Sequence, residues 1–211
     1  MTVPGVSVIT ASTFIAAIGD IRRFPSARKL IGYLGLDPRV RQSGPSPARH
    51  GRITKQGSAS VRHVLVEAAW VTVRAPGPMR AFYERVRARR GAQVAAVATA
   101  RKLASLFWCL LTREQDYAFA QPSLTRRKVR KLELVAGAPS RKGQVRTGDG
   151  LRNKQNRDAE RALAAQAEDA YRRTIADWMA TSPQKAGASV TPGRASHRPS
   201  KGKAARQTTS P

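Results

Sequence analysis

The stretch VAAVATARKLASLFWCLLT, Val94–Thr112, decides how the rest of the chain is read. It holds no Gly or Pro and is apolar nearly all round, interrupted by Arg101 and Lys102. That pattern predicts a helix buried on most sides, the spine of a helical domain. Such a spine needs partners, and helical spacing recurs before it. Val8, Ile9, Phe14, Ile15 and Ile18 predict a first helix stopped by Gly19. Ser26 is a good N-cap for a second, with Ala27, Leu30, Ile31 and Leu34 running to Gly35. Val61, Val64, Leu65, Ala68 and either Val71 or Thr72 predict a third over Ser60–Arg74, broken by Ala75-Pro76-Gly77-Pro78. A fourth, Met79–Arg90, turns Phe82, Val86 and Met79 inward and its arginines outward, and Gly91 ends it. The fold class expected is mainly α: a compact helical domain with a helix-hairpin-helix-like start and a long basic loop, then a basic helical and disordered C-terminal extension.

Charge bounds the partners. The 211 residues carry 39 Lys+Arg against 13 Asp+Glu, a formal net charge of +26. Self-repulsion of this size is relieved by a polyanion. DNA or RNA supplies one through phosphate contacts and counterion release. A ribosome-like basic protein without chemistry is the plain alternative. By this reading no apolar run approaches the roughly 20 residues of a membrane span. The start, MTVPGVSVIT, also lacks the charged segment of a secretory signal. No membrane partner and a cytoplasmic location are therefore expected. The one cysteine, Cys109, excludes a disulfide framework and reads as a small buried apolar residue. His50, His63 and His197 show no paired ligand spacing.

Composition divides the chain near residue 120. Each half is net +13, yet apolar periodicity is concentrated in the first. Residues 1–120 are expected to form the helical domain and 121–150 a basic helix, Pro122–Val135, with a Gly/Pro/Ser/Arg linker. Residues 151–180 are expected to form an amphipathic helix with Leu163, Ala167, Ala170, Tyr171, Ile175 and Trp178 as a thin stripe that could dock on a partner. Residues 181–211 have almost no apolar content and are expected to be a disordered basic tail.

Two segments could carry chemistry. Val3-Pro4-Gly5-Val6-Ser7 is a Pro-Gly turn opening a helix, which can aim free amides of Gly5, Val6 and Ser7 at a DNA phosphate. An ordinary loop before a helix is the plain alternative. The second is the connector Asp37–Arg62, in which Pro38, Pro45 and Pro47 forbid a regular helix. A short extended hairpin around Arg39–Ser43 and Gly51–Thr54 is expected within it. Arg39, Arg41, Arg49, Arg52, Lys55 and Arg62 make it cationic against one acid, Asp37. Gln42-Ser43-Gly44 lies in its middle, and glycine lets a phosphodiester approach the serine closely. Guanidinium groups would stabilise charge developing on phosphorus, so Ser43 is a candidate nucleophile. A solvated basic loop is the alternative. The acids Asp20, Asp37, Glu67, Glu84, Glu114 and Asp116 stand singly, with no spacing for a two-metal centre, and no metal site is expected. Glu67 reads as an ion-pair partner for an arginine. No G-x-x-x-x-G-K-[ST] nucleotide loop is present.

Several collinear blocks add to this reading. Pro4–Ala11 (PGVSVITA), Ile18–Leu30 (IGDIRRFPSARKL), Tyr33–Pro38 (YLGLDP), Gln42-Ser43-Gly44, Gly51–Gly57 (GRITKQG), Val61–Ala69 (VRHVLVEAA), Phe82-Tyr83 and Ala100-Arg101-Lys102-Leu103 follow one another in order. Together they resemble the C-terminal transposase domain of the bridge-RNA-guided insertion-sequence family, across roughly residues 3–120. The resemblance implies a recombinase whose serine, here Ser43, attacks a phosphodiester. It implies DNA and a structured RNA as partners, and multimers, either homo-oligomers or mixtures with full-length transposase. It also implies a RuvC-like domain carrying four metal-binding acids, with Mg expected there and no cofactor in this chain. Three departures stand out. Met1 falls just before the Pro-Gly turn, Ser7 replaces a usual second glycine, and Pro45 and Pro47 stiffen the loop after Ser43-Gly44. They point to an N-terminally truncated copy that needs the missing RuvC-like half. The alternative is a non-enzymatic DNA- or RNA-binding remnant that binds or inhibits a full-length transposase.

Overall fold

The computed structural model describes residues 1–45, 47–139 and 149–181. It is mainly helical, with a two-stranded antiparallel sheet. The elements are α1 (Val8–Ile18), a 3-10 turn (Ile21–Arg23), α2 (Ala27–Tyr33), β1 (Pro38–Arg41), β2 (Arg49–Ile53) and α3 (Ala59–Thr72). After them come α4 (Pro78–Arg90), α5 (Ala92–Arg113), α6 (Pro122–Val135) and α7 (Asp149–Thr181).

Local chemistry sets the first three helix starts. Ser7, Ser26 and Ser58 each sit in extended backbone and accept the amide of the residue three on: Thr10, Lys29 and Val61. Each such cap contributes about 1 kcal/mol. Ser58 takes the place expected of Ser60, so α3 starts earlier than its apolar spacing implies and ends at Thr72. Thr72, not Val71, points inward: Val71 is 49% exposed. On α4 the inward set is Met79, Ala81, Tyr83 and Val86, with Phe82 only partly buried.

The core is built around α5. Ala95, Ala96, Thr99, Ala100, Leu103, Ala104 and Phe107 are buried on it, and it packs against α2, α3 and α4. Small residues on α5 let neighbouring helices approach, and Phe14, Ile18, Leu30, Leu34, Leu36, Val61 and Leu65 fill the space between. Phe14 and Phe107 meet edge to face at 5.1 Å, and Trp108 Nε1 donates to Phe24 O at 3.0 Å. One expectation needs correction here. At 22 residues, with a hydropathy of 1.5 over its most apolar window, α5 is long and apolar enough to cross a membrane by length and composition. Leu103, Ala95, Ala100 and Ala104 are fully enclosed by protein, which accounts for the same apolarity as a core helix. Cys109 is half-buried rather than enclosed.

The last helices are attached by carboxylates. α4 and α6 both begin at a Pro and have no side-chain cap of their own. α7 supplies both. Glu168 Oε2 accepts the Gly77 amide at 3.0 Å, and Glu160 Oε1 accepts the Ser123 amide at 3.1 Å. The second oxygen of Glu160 accepts Ser123 Oγ at 2.6 Å. Arg172 and Arg80 complete the shell of Glu168 at 2.7 and 3.3 Å. The stripe expected on this helix is accordingly corrected. Leu163 and Trp178 are 65% and 64% exposed, whereas Ala164 and Glu168 are buried. Ala167, Tyr171 and Ile175 of the stripe are half-buried, and the inward carboxylate of Glu168 lies among them where the apolar pattern offered none. Of the expected linker, residues 140–148 lie outside the described residues. So does the expected tail after Thr181, which itself closes α7.

Candidate nucleic-acid interface

The connector between α2 and α3 folds as a hairpin with a fixed base and an exposed tip. In the register, Pro38 faces Ile53, Val40 faces His50 and Arg41 faces Arg49, with an irregularity between Pro38 and Val40. Four devices hold the base. Asp37 Oδ1 takes Arg101 Nη2 of α5 at 2.9 Å, and Asp37 O accepts the Thr54 amide at 2.8 Å. Lys55 N donates to Gly35 O at 3.1 Å. Arg62 Nη1 reaches three backbone carbonyls, Leu34 O at 3.2 Å, Gln56 O at 3.1 Å and Gly57 O at 3.0 Å. These ties draw the loop residues Gln56 and Gly57 onto the end of α2 without room for a side chain. A Cβ on Gly57, whose φ is +87°, would lie 2.1 Å from Tyr33 O. On Gly35 one would lie 1.7 Å from Gln56 O.

From that base the hairpin extends its charges into solvent. Arg39, Arg41, Arg49, Arg52 and Lys55 are all exposed, and the Arg41–Arg49 pair sets two like charges directly across the ladder. In water such a pair costs roughly 0.2–1 kcal/mol, and a phosphate between the two guanidiniums reverses the sign. Ser43 lies two residues beyond the end of β1 and is exposed. Its hydroxyl has no hydrogen-bond partner among the described residues. Gly44 beside it turns with φ +62° into open space. A phosphodiester can therefore reach Ser43 Oγ without displacing protein atoms.

The candidate residues do not all converge. Arg39, Arg41, Ser43, Arg49, Arg52 and Lys55 share the hairpin. Arg62 belongs to its base, with one guanidinium nitrogen engaged by backbone carbonyls. Gly5, Val6 and Ser7 lie at the other end of α3, about 20 Å away by the rise of a 14-residue helix. There Val6 N donates to Val3 O, and Ser7 Oγ occupies the Thr10 amide. Gly5 fits so closely against α3 that a Cβ would meet Thr72 Oγ1 at 2.6 Å. Thr72 Oγ1 lies 2.8 Å from Pro4 O and 2.7 Å from Ala68 O, and Lys128 Nζ donates to Met1 O and Val3 O. Glu67, expected beside an arginine, instead meets His63 at 3.2 Å, one turn away on the exposed face of α3. Arg101 as the partner of Asp37 was not foreseen, since 64 residues separate the two and spacing carries no such signal. Among the described residues no group of three or more His, Cys, Asp or Glu could hold a metal ion.

The architecture thus defines a helical domain that holds out a rigid cationic hairpin with an open serine. Residues 1–84, hairpin included, match the model of the Transposase IS116/IS110/IS902 family. The chain is 34% identical over 120 residues to the transposase for insertion sequence element IS1111A of Coxiella burnetii, covering 55% of this chain and 33% of that protein. It is 36% identical over 121 residues to a probable family 20 transposase of Pseudomonas aeruginosa, covering 56% and 36%. A shorter match, 52% over 66 residues, is to the putative transposase y4qE of Sinorhizobium fredii, covering 31% and 17%. The chain spans about a third of the length of the first two relatives.

Proposed function

We propose that this chain is the DNA-handling, serine-bearing part of an insertion-sequence transposase, and that its hairpin brings Ser43 to a DNA phosphodiester. The exposed Ser43 beside the cross-strand Arg41–Arg49 pair carries the reading, and the family match over residues 1–84 supports it. In the step proposed, a lone pair of Ser43 Oγ forms a bond to phosphorus. The bond to one deoxyribose oxygen breaks and its electron pair stays on that oxygen. The serine proton passes through water to the leaving oxygen, so a phosphoserine diester and a free hydroxyl result. Reversal on a second DNA end completes strand transfer. Arg41 and Arg49 hold the non-bridging oxygens, where charge accumulates.

On this reading complete transposition draws on a RuvC-like half supplied in cis or in trans, on a structured RNA and on other transposase subunits. Mixing the protein with a separately expressed RuvC-like half, the element's RNA and labelled DNA ends is expected to give a protein–DNA adduct stable to denaturation. Ser43→Ala is expected to abolish it while leaving DNA retention in gel shifts. An adduct persisting in Ser43→Ala removes Ser43 from the chemistry.

A further inference from the structure

A second pair of cations lies on the packed helices rather than on the hairpin. Phe82 of α4 carries Lys102 Nζ of α5 at 5.1 Å from its ring centroid and Arg85 Cζ at 5.5 Å. Neighbouring carboxylates are already engaged: Glu84 with Arg87, Glu168 with Arg80 and Arg172, and Asp37 with Arg101. Neither Arg85 nor Lys102 has an ion-pair partner among the described residues, and Arg85 Nε is enclosed without an acceptor. Burial lowers the pKa of Lys102, and the charge of Arg85 lowers it further. An aromatic face attracts a cation, which accounts for the stacking but not for gathering two charges on one ring. The two charges repel, and an anion reaching Lys102 Nζ and the terminal guanidinium nitrogens of Arg85 would relieve that repulsion.

We propose that Arg85 and Lys102, set on Phe82, form a phosphodiester-binding site for the nucleic-acid strand that the hairpin engages. Lys102 follows Arg101 directly on α5, and Arg101 is the residue that ties the hairpin base through Asp37. Lys102 and the hairpin tie thus share one helix, and on this proposal a backbone leaving the hairpin continues to Lys102 on the body of the domain. This rests on the DNA-handling reading above. It adds a contact made by rigid helices, which sets the strand's path relative to Ser43.

The test is a salt titration of binding to a generic duplex, comparing the parent chain with Arg85→Gln/Lys102→Met and Arg41→Gln/Arg49→Gln. The methionine keeps an unbranched stem on Phe82. Log affinity falls with log salt by about 0.9 per neutralised phosphate, so the helix-pair variant is expected to show a slope smaller by about one. An unchanged slope in a variant that melts like the parent overturns the site. A flat slope in the parent itself, by contrast, sinks the DNA-handling reading. Should the variant not fold, the parent chain decides. Acetylation of Lys102, read residue by residue by mass spectrometry, is expected to be slowed by duplex but not by inorganic phosphate at equal ionic strength. Acetylation unaffected by duplex, or blocked equally by phosphate alone, overturns the assignment.

Discussion

Replacing Arg62 by Ala separates two roles that one guanidinium can hold. Its Nη1 carries two hydrogens and lies within 3.2 Å of three carbonyls, so at most two full bonds exist at once. A charge-assisted bond contributes about 1.5–3 kcal/mol net. Leu34 is buried, whereas Gln56 and Gly57 are exposed and their carbonyls regain water when the guanidinium leaves. The expected loss is therefore about 2 kcal/mol, well below a sum over three contacts. It falls on the joint between α2, the hairpin and α3. Urea unfolding measures the total, and amide exchange at Thr54 and Lys55, which donate to Asp37 O and Gly35 O, measures where it falls. Both amides are expected to exchange faster in the variant. The salt slope of DNA binding should stay unchanged if the clamp is the whole role, and drop by about 0.9 if Arg62 also holds a phosphate. A stability loss under about 0.5 kcal/mol with parental exchange at both amides would refute the clamp.

Gly57→Ala is expected to cost more than about 3 kcal/mol, because its Cβ would strike Tyr33 O and left-handed backbone adds strain. Gly19→Ala, with φ +60° and no atom within 4 Å, should cost only about 1 kcal/mol, and chemical denaturation of both variants checks the contrast. At Glu168 burial pushes the carboxyl pKa up, but hydrogen bonds from Arg172 and the Gly77 amide, with the charge of Arg80, outweigh it and hold the pKa below the ordinary 4.5. The ionised form is thus favoured by folding. Its contribution is present above pH 4.5 and lost as pH falls through the lower folded value. Thermal melts from pH 7 to pH 3 should show a decline that Glu168→Gln flattens, starting from a lower Tm at pH 7. A profile identical to the parent's would exclude Glu168 as its source.

The sequence was readable where chemistry is local. Ser26, before an apolar run, marked a helix start, and the nearly all-round apolarity of Val94–Thr112 marked the spine. The Pro-broken connector with alternating arginines marked the hairpin within about two residues of its observed strands. What could not be read were contacts between distant residues. Periodicity ranks apolar residues, so it passed over Glu168, whose burial makes sense only beside the uncapped start of α4. Spacing likewise offered Arg62 as another surface cation, because the carbonyls that claim it become neighbours only when α2 and α3 meet. At the candidate site, residue types named the hairpin, while which groups stay open to solvent depended on the fold.

The two carboxylates of α7 bear on where the molecule can be cut. Composition divides near residue 120, and an expression boundary placed there would follow the apolar residues faithfully. It would also strip the opening turn of α4 of its acceptor at Gly77 and leave Arg80 without its counter-charge. A shortened version ending before Glu160 should therefore fray at the N-terminal end of α4, the helix that presents Phe82 and Arg85. Any minimal fragment intended to keep that surface in place needs to extend past Arg172.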